Sequence, residues 1–333
     1  MLAPARWLLR VAVLLSLFVA LGCGGGGGDA GASATRESYL LAGQSDLVEI
    51  SLPSGGQKVL QHFGDSSVID PSISPDGKLI AFVRVPDYTT TTVDFGTDIY
   101  VANRDGTNPT LLVKHAATSE LLRWPLWPAD GKSVIFSVQG QSANGLPASR
   151  LEKFDLATRQ RRTFIEGASW PSLSRDGRTL VFQTLDLSNG DNVLWLADAT
   201  SGNRAPIVKS TQQFGSFGAA VLSPDNTQVV FGAATLGALA PQRSLENRSL
   251  ARGLARLDGL PEDVWLVKRD GTGLRQLTSL KEDQPAFAWS SDGRWIYCLG
   301  GGGLYQIDAA KGSKKRIAEG IFHGEIVWLP PAP

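Results

Sequence analysis

The sequence predicts an all-β fold, a six-bladed β-propeller of four-stranded antiparallel blades closed by its C-terminal strand. Three observations lead to this fold class: a tight turn that recurs along the chain, short apolar segments around each turn, and incomplete repeats at the two ends. The recurring turns are Asp76-Gly77, Asp130-Gly131, Asp176-Gly177, Asp225-Asn226 and Asp292-Gly293. Their spacings of 54, 46, 49 and 67 residues indicate an internal repeat of about 50 residues.

Each repeat contains four short segments with the composition of β-strands. The first precedes the Asp-Gly turn and usually opens with a proline, as at Pro71 and Pro125. The second follows the turn and is rich in Val, Ile and Phe, as in LIAFVR from residue 79. The third alternates apolar and polar residues, as in DIYVAN from residue 98, and a fourth follows another tight turn. Four such strands form an antiparallel meander, and radial stacking of the sheets buries their apolar faces.

The two ends of the chain complement each other. The first repeat begins at SYLLAG, residues 38–43, which aligns with a second strand, so this repeat lacks its own first strand. The last segment, EIVWLP at 325–330, aligns with a first strand and has no second strand after it. We therefore expect the C-terminal strand to complete the N-terminal blade, which closes the ring without an open sheet edge and makes six blades.

Composition and charge exclude two further classes of protein. Lys and Arg together number 32, and Asp and Glu together also number 32, so the chain has no net field to attract nucleic acid, and no nucleic-acid partner is predicted. The sequence has two cysteines, Cys23 and Cys298, which is too few for a fold held by disulfides.

The N-terminal residues have the pattern of an export signal followed by a tether. Residues 1–22 combine Arg6 and Arg10 with an apolar run at 11–21, which is typical of a signal peptide. Cys23 follows, so we expect cleavage before it and lipidation of its thiol; plain secretion is the alternative. Residues 23–36 contain five consecutive glycines after Cys23 and form a flexible tether. These features predict an extracytoplasmic protein attached to a membrane through a lipid at Cys23.

The predicted propeller occupies residues 37–330, followed by a tail at 331–333, and one long insertion at 232–262 forms an arm between two of its strands. Within the arm, Arg248, Arg252 and Arg256 recur at helical spacing, opposite a row of leucines. A basic amphipathic helix of this kind contacts anionic lipid or an acidic partner. The alternative is a lid packed on the propeller that leaves the arginines in solvent.

A ring of residues at one end of the first strands forms the candidate binding site. The position before the opening proline, or its equivalent, is occupied around the six blades by Glu325, Asp70, Trp124, Trp170, Ala219 and Gln284. First strands line the central channel of a propeller, so these residues should surround its mouth, on the face that also carries the long loops. Neighbouring acids and tryptophans there suit a cation or an amine beside a stacking surface, and a divalent cation is one option. The alternative is purely structural: the tryptophans wedge between blades and the acids cap turns.

The sequence has no recognisable catalytic constellation. The Gly-x-Ser-x-Gly motif is absent, and His62, His115 and His323 are expected too far apart to share a metal. The segment 186–192 is rich in oxygen ligands but lacks the full spacing of a calcium loop. No catalytic residue, cofactor or resident metal is therefore predicted.

The repeat resembles that of TolB-type propellers, which are related to WD repeats. The resemblance is carried by Ser74-Pro75-Asp76-Gly77, by its variants at the other turns, and by strands such as IAF and DIYV, and it covers residues 37–330. It implies a propeller fold. TolB carries an additional α/β domain before its propeller, where this sequence has only the tether, so the envelope role of TolB is not transferred. We expect a binding or scaffolding module with an envelope protein as partner. The alternatives are a polysaccharide- or peptide-acting lyase or hydrolase at the channel mouth, and a small-ligand sensor.

Overall fold

The computed structural model describes residues 36–331 except for the segments 65, 87–93, 143–144, 187–190, 211–212, 236–260 and 320–323. The chain divides into two units, Met1–Thr35 and Arg36–Pro333. The predicted signal peptide, Cys23 and nearly all of the tether lie outside the described residues. So do His323 and the three arginines of the arm, Arg248, Arg252 and Arg256.

The described residues form 24 strands in six four-stranded antiparallel sheets, which confirms the predicted propeller. Blade 1 contains β1 (Glu37–Gly43), β2 (Asp46–Leu52) and β3 (Gly56–His62). Blade 2 contains β4 (Ser66–Ile73), β5 (Leu79–Pro86), β6 (Asp98–Asn103) and β7 (Thr110–Val113). Blade 3 contains β8 (Leu121–Leu126), β9 (Ser133–Gln141), β10 (Pro147–Asp155) and β11 (Arg161–Glu166).

The remaining blades follow the same meander. Blade 4 contains β12 (Ala168–Leu173), β13 (Thr179–Asp186), β14 (Asp191–Asp198) and β15 (Arg204–Lys209). Blade 5 contains β16 (Phe214–Leu222), β17 (Gln228–Thr235), β18 (Glu262–Lys268) and β19 (Arg275–Glu282). Blade 6 contains β20 (Ala286–Trp289), β21 (Trp295–Gly300), β22 (Gly303–Asp308) and β23 (Lys314–Ala318). The last strand, β24 (Ile326–Leu329), is the innermost strand of blade 1.

The ring closes as the sequence predicts, through pairing of β24 with β1. The antiparallel register places Tyr39 opposite Trp328 and Leu41 opposite Ile326. Beyond the strand, Arg104 donates a hydrogen bond from Nη2 to the carbonyl oxygen of Pro330 at 2.6 Å. The chain end is therefore held by its own sheet and by a side chain of blade 2.

The recurring turn has a clear physical cause. Ser74 donates its hydroxyl proton to Asp76 Oδ1 at 2.6 Å, and its oxygen accepts the backbone N–H of Leu79 at 2.9 Å. Gly77 has φ +69°, a left-handed conformation that glycine adopts without steric cost. The same serine–aspartate bond recurs at Ser174, Ser223 and Ser290, which explains why the Ser-x-Asp-Gly element repeats.

The apolar second strands fill the spaces between blades. Phe82, Phe136, Phe182 and Phe231 occupy the same position in four of these strands, and each is fully buried. Burial of one such ring contributes about 2–3 kcal/mol of hydrophobic stabilisation. Cys298 takes this position in blade 6 and is also fully buried. In the part of the chain that the structure describes, no helix is both long enough and apolar enough to span a membrane.

The structure describes only the two edges of the predicted arm at 232–262. Residues 232–235 continue β17, and Glu262 already belongs to β18. Residues 236–260, including the predicted helical pattern, lie outside the described residues.

Candidate functional site

The inner strands are interrupted at the predicted ring by bulges. The pairing register shifts between Ile69 and Ser72 in β4, and the same occurs between Arg123 and Leu126 in β8 and between Ser169 and Ser172 in β12. Within these bulges, Asp70, Trp124 and Trp170 have φ values of +53°, +49° and +52°. A left-handed backbone costs about 1–2 kcal/mol in a residue with a side chain, and bulges redirect side chains near functional sites. The bulges therefore hold these three side chains in positions that a regular strand would not provide.

Trp124 crosses the channel mouth. Its indole Nε1 donates a hydrogen bond to Glu325 Oε1 of blade 1 at 3.0 Å. Its ring centroid lies 4.7 Å from that of Trp170 in blade 4, with the planes inclined at 36°. The guanidinium of Arg123 lies 4.5 Å from the centroid of the Trp124 ring. Trp124 is buried by these contacts, whereas Trp170 remains half-buried and faces outward in part.

Asp70 forms a buried ion pair. Arg123 donates from Nε to Asp70 Oδ2 at 2.5 Å and from Nη2 to Oδ1 at 3.1 Å. The backbone N–H of Trp124 also donates to Oδ2, at 3.1 Å. Both oxygens of Asp70 are therefore engaged, so Asp70 does not offer a free carboxylate to a cation as the sequence alone suggested. It orients Arg123 and fixes the bulge at Trp124.

Glu325 is the acid of the ring whose charge is least compensated. It keeps some exposed surface, but neighbouring groups enclose its carboxyl. This burial, with a smaller contribution from the charge of Asp70, raises the pKa of Glu325 to about 7. The hydrogen bond from Trp124 and the charge of Arg123 act in the opposite direction. Glu325 therefore changes its ionisation near neutral pH.

A small pocket lies beside the two tryptophans. Its lining residues are Trp124, Trp170, Pro171, Ser172, Ala219, Ala220, Val221 and Glu325. The free space inside leaves room for about one water molecule. The structure thus brings Trp124, Trp170, Ala219 and Glu325 of the predicted ring together in one pocket. Asp70 does not line the pocket but accepts a hydrogen bond from the backbone N–H of Trp124.

Gln284 lies outside this pocket. It is exposed and precedes β20, which pairs with β21 in a regular register, with Phe287 opposite Cys298. In blade 4 the proline lies three residues before the serine of the Asp-Gly turn, whereas in blade 6 it lies five residues before it. Alignment on the proline therefore selected Gln284, which lies two residues before the position equivalent to Trp170. Its φ of +47° belongs to the turn before the strand.

The opposite end of the channel is also filled by side chains. Arg175, in the turn of blade 4, donates from Nη2 to the carbonyl oxygen of Trp289 in blade 6 at 3.1 Å. Its guanidinium lies 4.0 Å from the centroid of the Trp328 ring in blade 1. Trp289 in turn donates from Nε1 to the carbonyl of Val221 in blade 5 at 3.1 Å. These contacts place residues of blades 1, 4, 5 and 6 together at the end of the channel opposite Trp124.

Sequence reasoning missed a second unusual acid, Glu262, near Ala219. Its side chain is 4% exposed, and its Oε2 atom is buried without a hydrogen-bond partner. Burial, and secondarily the charge of Asp283, raises the pKa of Glu262 to about 8. A Cβ atom on Gly218 or Gly232 would lie 2.1 or 2.4 Å from Oε2, so these two glycines make the space for the carboxyl. The two glycines are the sequence feature that relates to this buried acid. They could not be linked to Glu262 from the sequence, because they approach it only when the strands are paired.

His115 stabilises the loop beside the mouth. Its Nδ1 lies 2.7 Å from Asp98 Oδ1, and its Nε2 lies 2.9 Å from Asp94 Oδ2. A neutral imidazole has one N–H, so donation to both carboxylates requires the protonated ring. Burial favours the neutral form, but the two hydrogen bonds outweigh it and raise the pKa of His115 above its ordinary value. This loop also bonds the innermost strand of blade 3, because Thr97 Oγ1 donates to the carbonyl of Leu122 in β8 at 2.8 Å.

Metal ligands were sought throughout the described ranges. There, no three His, Cys, Asp or Glu side chains have an arrangement that could hold a metal ion. A divalent cation at the channel mouth stays a prediction from the sequence. The segment 186–192 is described only in part. His62 is the last residue of β3, and His115 lies between β7 and β8.

We predict that His115 titrates above the ordinary pH range of histidine. Because its pKa is raised in the folded protein, the stabilisation it provides is complete below about pH 6.5 and is lost as the pH rises through the folded-state pKa. NMR titration of the imidazole, assigned with a His115→Gln variant, measures this directly. Asp94→Asn should lower the pKa of His115, whereas Asp105→Asn, a change in an exposed turn, should not. If the pKa of His115 in the wild-type protein is not raised, the double hydrogen bond is contradicted.

We predict that Glu262→Gln makes stability less sensitive to alkaline pH. An acid whose pKa is raised on folding destabilises the native state progressively as the pH rises from about 4.5 to about 8. Wild-type protein should therefore lose stability, on the order of a few kcal/mol, over this range. Glu262→Gln should lose less, and Glu166→Gln, an exposed control, should behave like wild type. Chemical denaturation at pH 5 and pH 9 measures the difference; equal losses in the wild type and in Glu262→Gln exclude this role.

Comparison with known proteins identifies the fold but not a close relative. No protein-family model matches the sequence, and no curated protein matches it either. Among solved structures, the chain is similar to TolB from Acinetobacter baumannii, with a TM-score of 0.57 and 17% identity over 89% of this chain and 66% of TolB. The chain thus spans just under two thirds of the TolB structure.

Two other structures are similar to a comparable degree. A nidogen/laminin complex has a TM-score of 0.60 with 12% identity, covering 88% of this chain and 98% of that one. A putative 6-phosphogluconolactonase from Bacteroides fragilis has a TM-score of 0.51 with 11% identity, covering 91% of this chain and all of the other. At these identities the comparisons concern the fold alone, and the fold of this chain is a TolB-like six-bladed β-propeller.

Proposed function

We propose that the chain is an extracytoplasmic binding module that docks an envelope partner protein on the channel-mouth face of its propeller. The observation that carries this proposal is the Trp124–Trp170 pair, held in left-handed backbone at the mouth and completed by Glu325. Tryptophans packed against one another at a protein surface are frequent centres of binding energy in protein interfaces. A mouth filled by side chains offers a contact surface rather than a deep cavity.

The proposed location in the cell envelope is supported by the N-terminal sequence. Export by residues 1–22 and lipidation at Cys23 would attach the protein to a membrane, and the glycine tether would give the propeller reach. The arginines Arg248, Arg252 and Arg256 would add a basic contact to lipid headgroups or to an acidic partner. No nucleic-acid partner is proposed.

An enzyme acting on a polysaccharide or a peptide at the mouth is the second candidate. One observation favours it: the pKa of Glu325 is raised to about 7 beside a second carboxyl, Asp70, which is a pattern found in general-acid catalysis. Against it, both oxygens of Asp70 are engaged by Arg123 and the Trp124 backbone. The pocket is also smaller than a sugar ring or a peptide unit. Binding is therefore the better supported function.

We predict that Trp170→Ala reduces partner recovery from solubilised envelope by on the order of tenfold, because interface tryptophans commonly contribute 2 kcal/mol or more. The bait is the full chain with its tether. Trp195→Ala is the matched control, because Trp195 lies in the same blade, bonds Thr184 within its own sheet and does not line the mouth pocket. Circular dichroism checks that both variants fold.

Recovery of the same partners by both variants at wild-type levels contradicts the proposed binding face. The enzyme alternative has a separate readout, in which purified protein is incubated with envelope polysaccharide and peptide fractions. Turnover that is lost in Glu325→Gln supports that alternative and removes the binding module as the primary function.

A further inference from the structure

We infer that the pocket formed by Trp170, Ala219 and Glu325 at the channel mouth binds a primary ammonium group, such as the side chain of a partner's lysine. This inference rests on the proposed function, because it names the chemical group that a docked partner inserts into the mouth. The size of the pocket, the nature of its polar atoms and its charge lead independently to the same chemistry.

The size of the pocket selects a small head group. The free space holds about one water molecule. A primary ammonium group has nearly the size of a water molecule, whereas a guanidinium, a trimethylammonium or a sugar ring is several times larger. A lysine side chain could reach the pocket with its methylene stem along the apolar surface of Pro171, Ala219 and Val221.

The donors of Ser172 and Trp124 are already used in hydrogen bonds, so acceptor atoms remain for a ligand in the pocket. Ser172 directs its hydroxyl proton to the carbonyl oxygen of Ala220, so the lone pairs of its Oγ remain to accept. The Nε1 donor of Trp124 is used by Glu325 Oε1. The Glu325 carboxylate has further lone pairs. A site built from acceptors is complementary to a group that carries donors alone, and an ammonium group has three donors and no acceptor.

The charge of the mouth also favours a single positive group. Asp70 and Arg123 neutralise each other through two hydrogen bonds, which leaves the charge of Glu325 uncompensated when it is ionised. Trp124 and Trp170 line the same space, so a cation bound there lies beside aromatic rings whose π systems attract it. One free carboxylate is too few for a divalent metal, which prefers six or more oxygen ligands, but it is sufficient for an ammonium group.

Binding should depend on pH in a direction set by Glu325. The charged groups that face it are Asp70 of β4 and Arg123 of β8, and the pocket walls of β12 and β16 bring no ionisable side chain. Its pKa of about 7 means that it is largely neutral at pH 6 and ionised at pH 8. A primary amine stays protonated over this interval, so affinity should rise about tenfold from pH 6 to pH 8 and then level off.

The test uses n-butylammonium as the probe and the purified wild-type chain at pH 8. We expect saturable binding with a dissociation constant on the order of millimolar, since a ligand with few atoms can gain only limited energy. The indole N–H resonance of Trp124, assigned with a Trp124→Phe variant, should shift as the amine binds Glu325. Glu325→Gln should weaken binding at least about tenfold and remove its pH dependence, while Glu166→Gln, an exposed acid on β11, should bind like wild type.

Three results would overturn the inference. One is equal binding to wild type and Glu325→Gln, another is equal affinity for butyltrimethylammonium, and the third is calcium or manganese displacing the amine at micromolar concentration. Preserved melting temperature in Glu325→Gln shows that the variant folds. Failure here, together with Trp170-dependent capture of an envelope partner, leaves the proposed binding face intact. Amine binding without partner capture would remove the docking function instead.

Discussion

Closure of the ring by one strand pair is the constraint on which the rest of the structure depends. Residues 38–41 and 326–329 lie at opposite ends of the propeller sequence, and their pairing makes the first blade complete. Trp328 then lies under Arg175, and Glu325 reaches Trp124. The chain end thus supplies a residue to each end of the channel. Without β24, the blade 1 wall of the mouth and the carboxyl that accepts from Trp124 would both be absent.

The site depends on strained backbone that the blades hold in place. Asp70, Trp124 and Trp170 each precede a proline and each lie in a bulge with positive φ. Proline also removes a backbone donor, which is tolerated because the innermost strand has an open side facing the channel. The bulges thereby fix the directions of the three side chains. The ion pair between Asp70 and Arg123 and the indole contacts oppose the cost of the left-handed conformation.

The fold could be predicted because its signals are local and repeated. The Ser74–Asp76 hydrogen bond and the left-handed Gly77 explain why a short motif recurs, and the fully buried Phe82 position explains why each second strand reads alike. The complementary ends follow from counting strands. Each repeat is recognisable within a few residues of sequence, and the count of strands then reveals the incomplete blades at the two ends.

The site could be predicted only in part because its chemistry joins distant residues. The ring positions of Asp70, Trp124, Trp170 and Glu325 follow from the repeat, but the pairing of Asp70 with Arg123 and of Trp124 with Glu325 spans 53 and 201 residues. These long-range partners determine which acid of the ring keeps an uncompensated charge. No local sequence pattern predicts such pairings. Gln284 lies outside the pocket because the proline of blade 6 is two residues farther from its turn serine than the proline of blade 4. Glu262 was missed because its two glycines, Gly218 and Gly232, approach it only after folding.

Native-state hydrogen exchange of β24 and β1 tests ring closure most directly. If the pair closes the propeller, its hydrogen-bonded amides should exchange only on global unfolding, with the same free energy as those of the central strands β5 and β13. The contrary result is exchange of the β24 amides at a much lower free energy that does not depend on denaturant, while the β5 amides stay protected. It would show that the C-terminal strand frays locally and that the remaining ring is stable without it. That result would contradict the account.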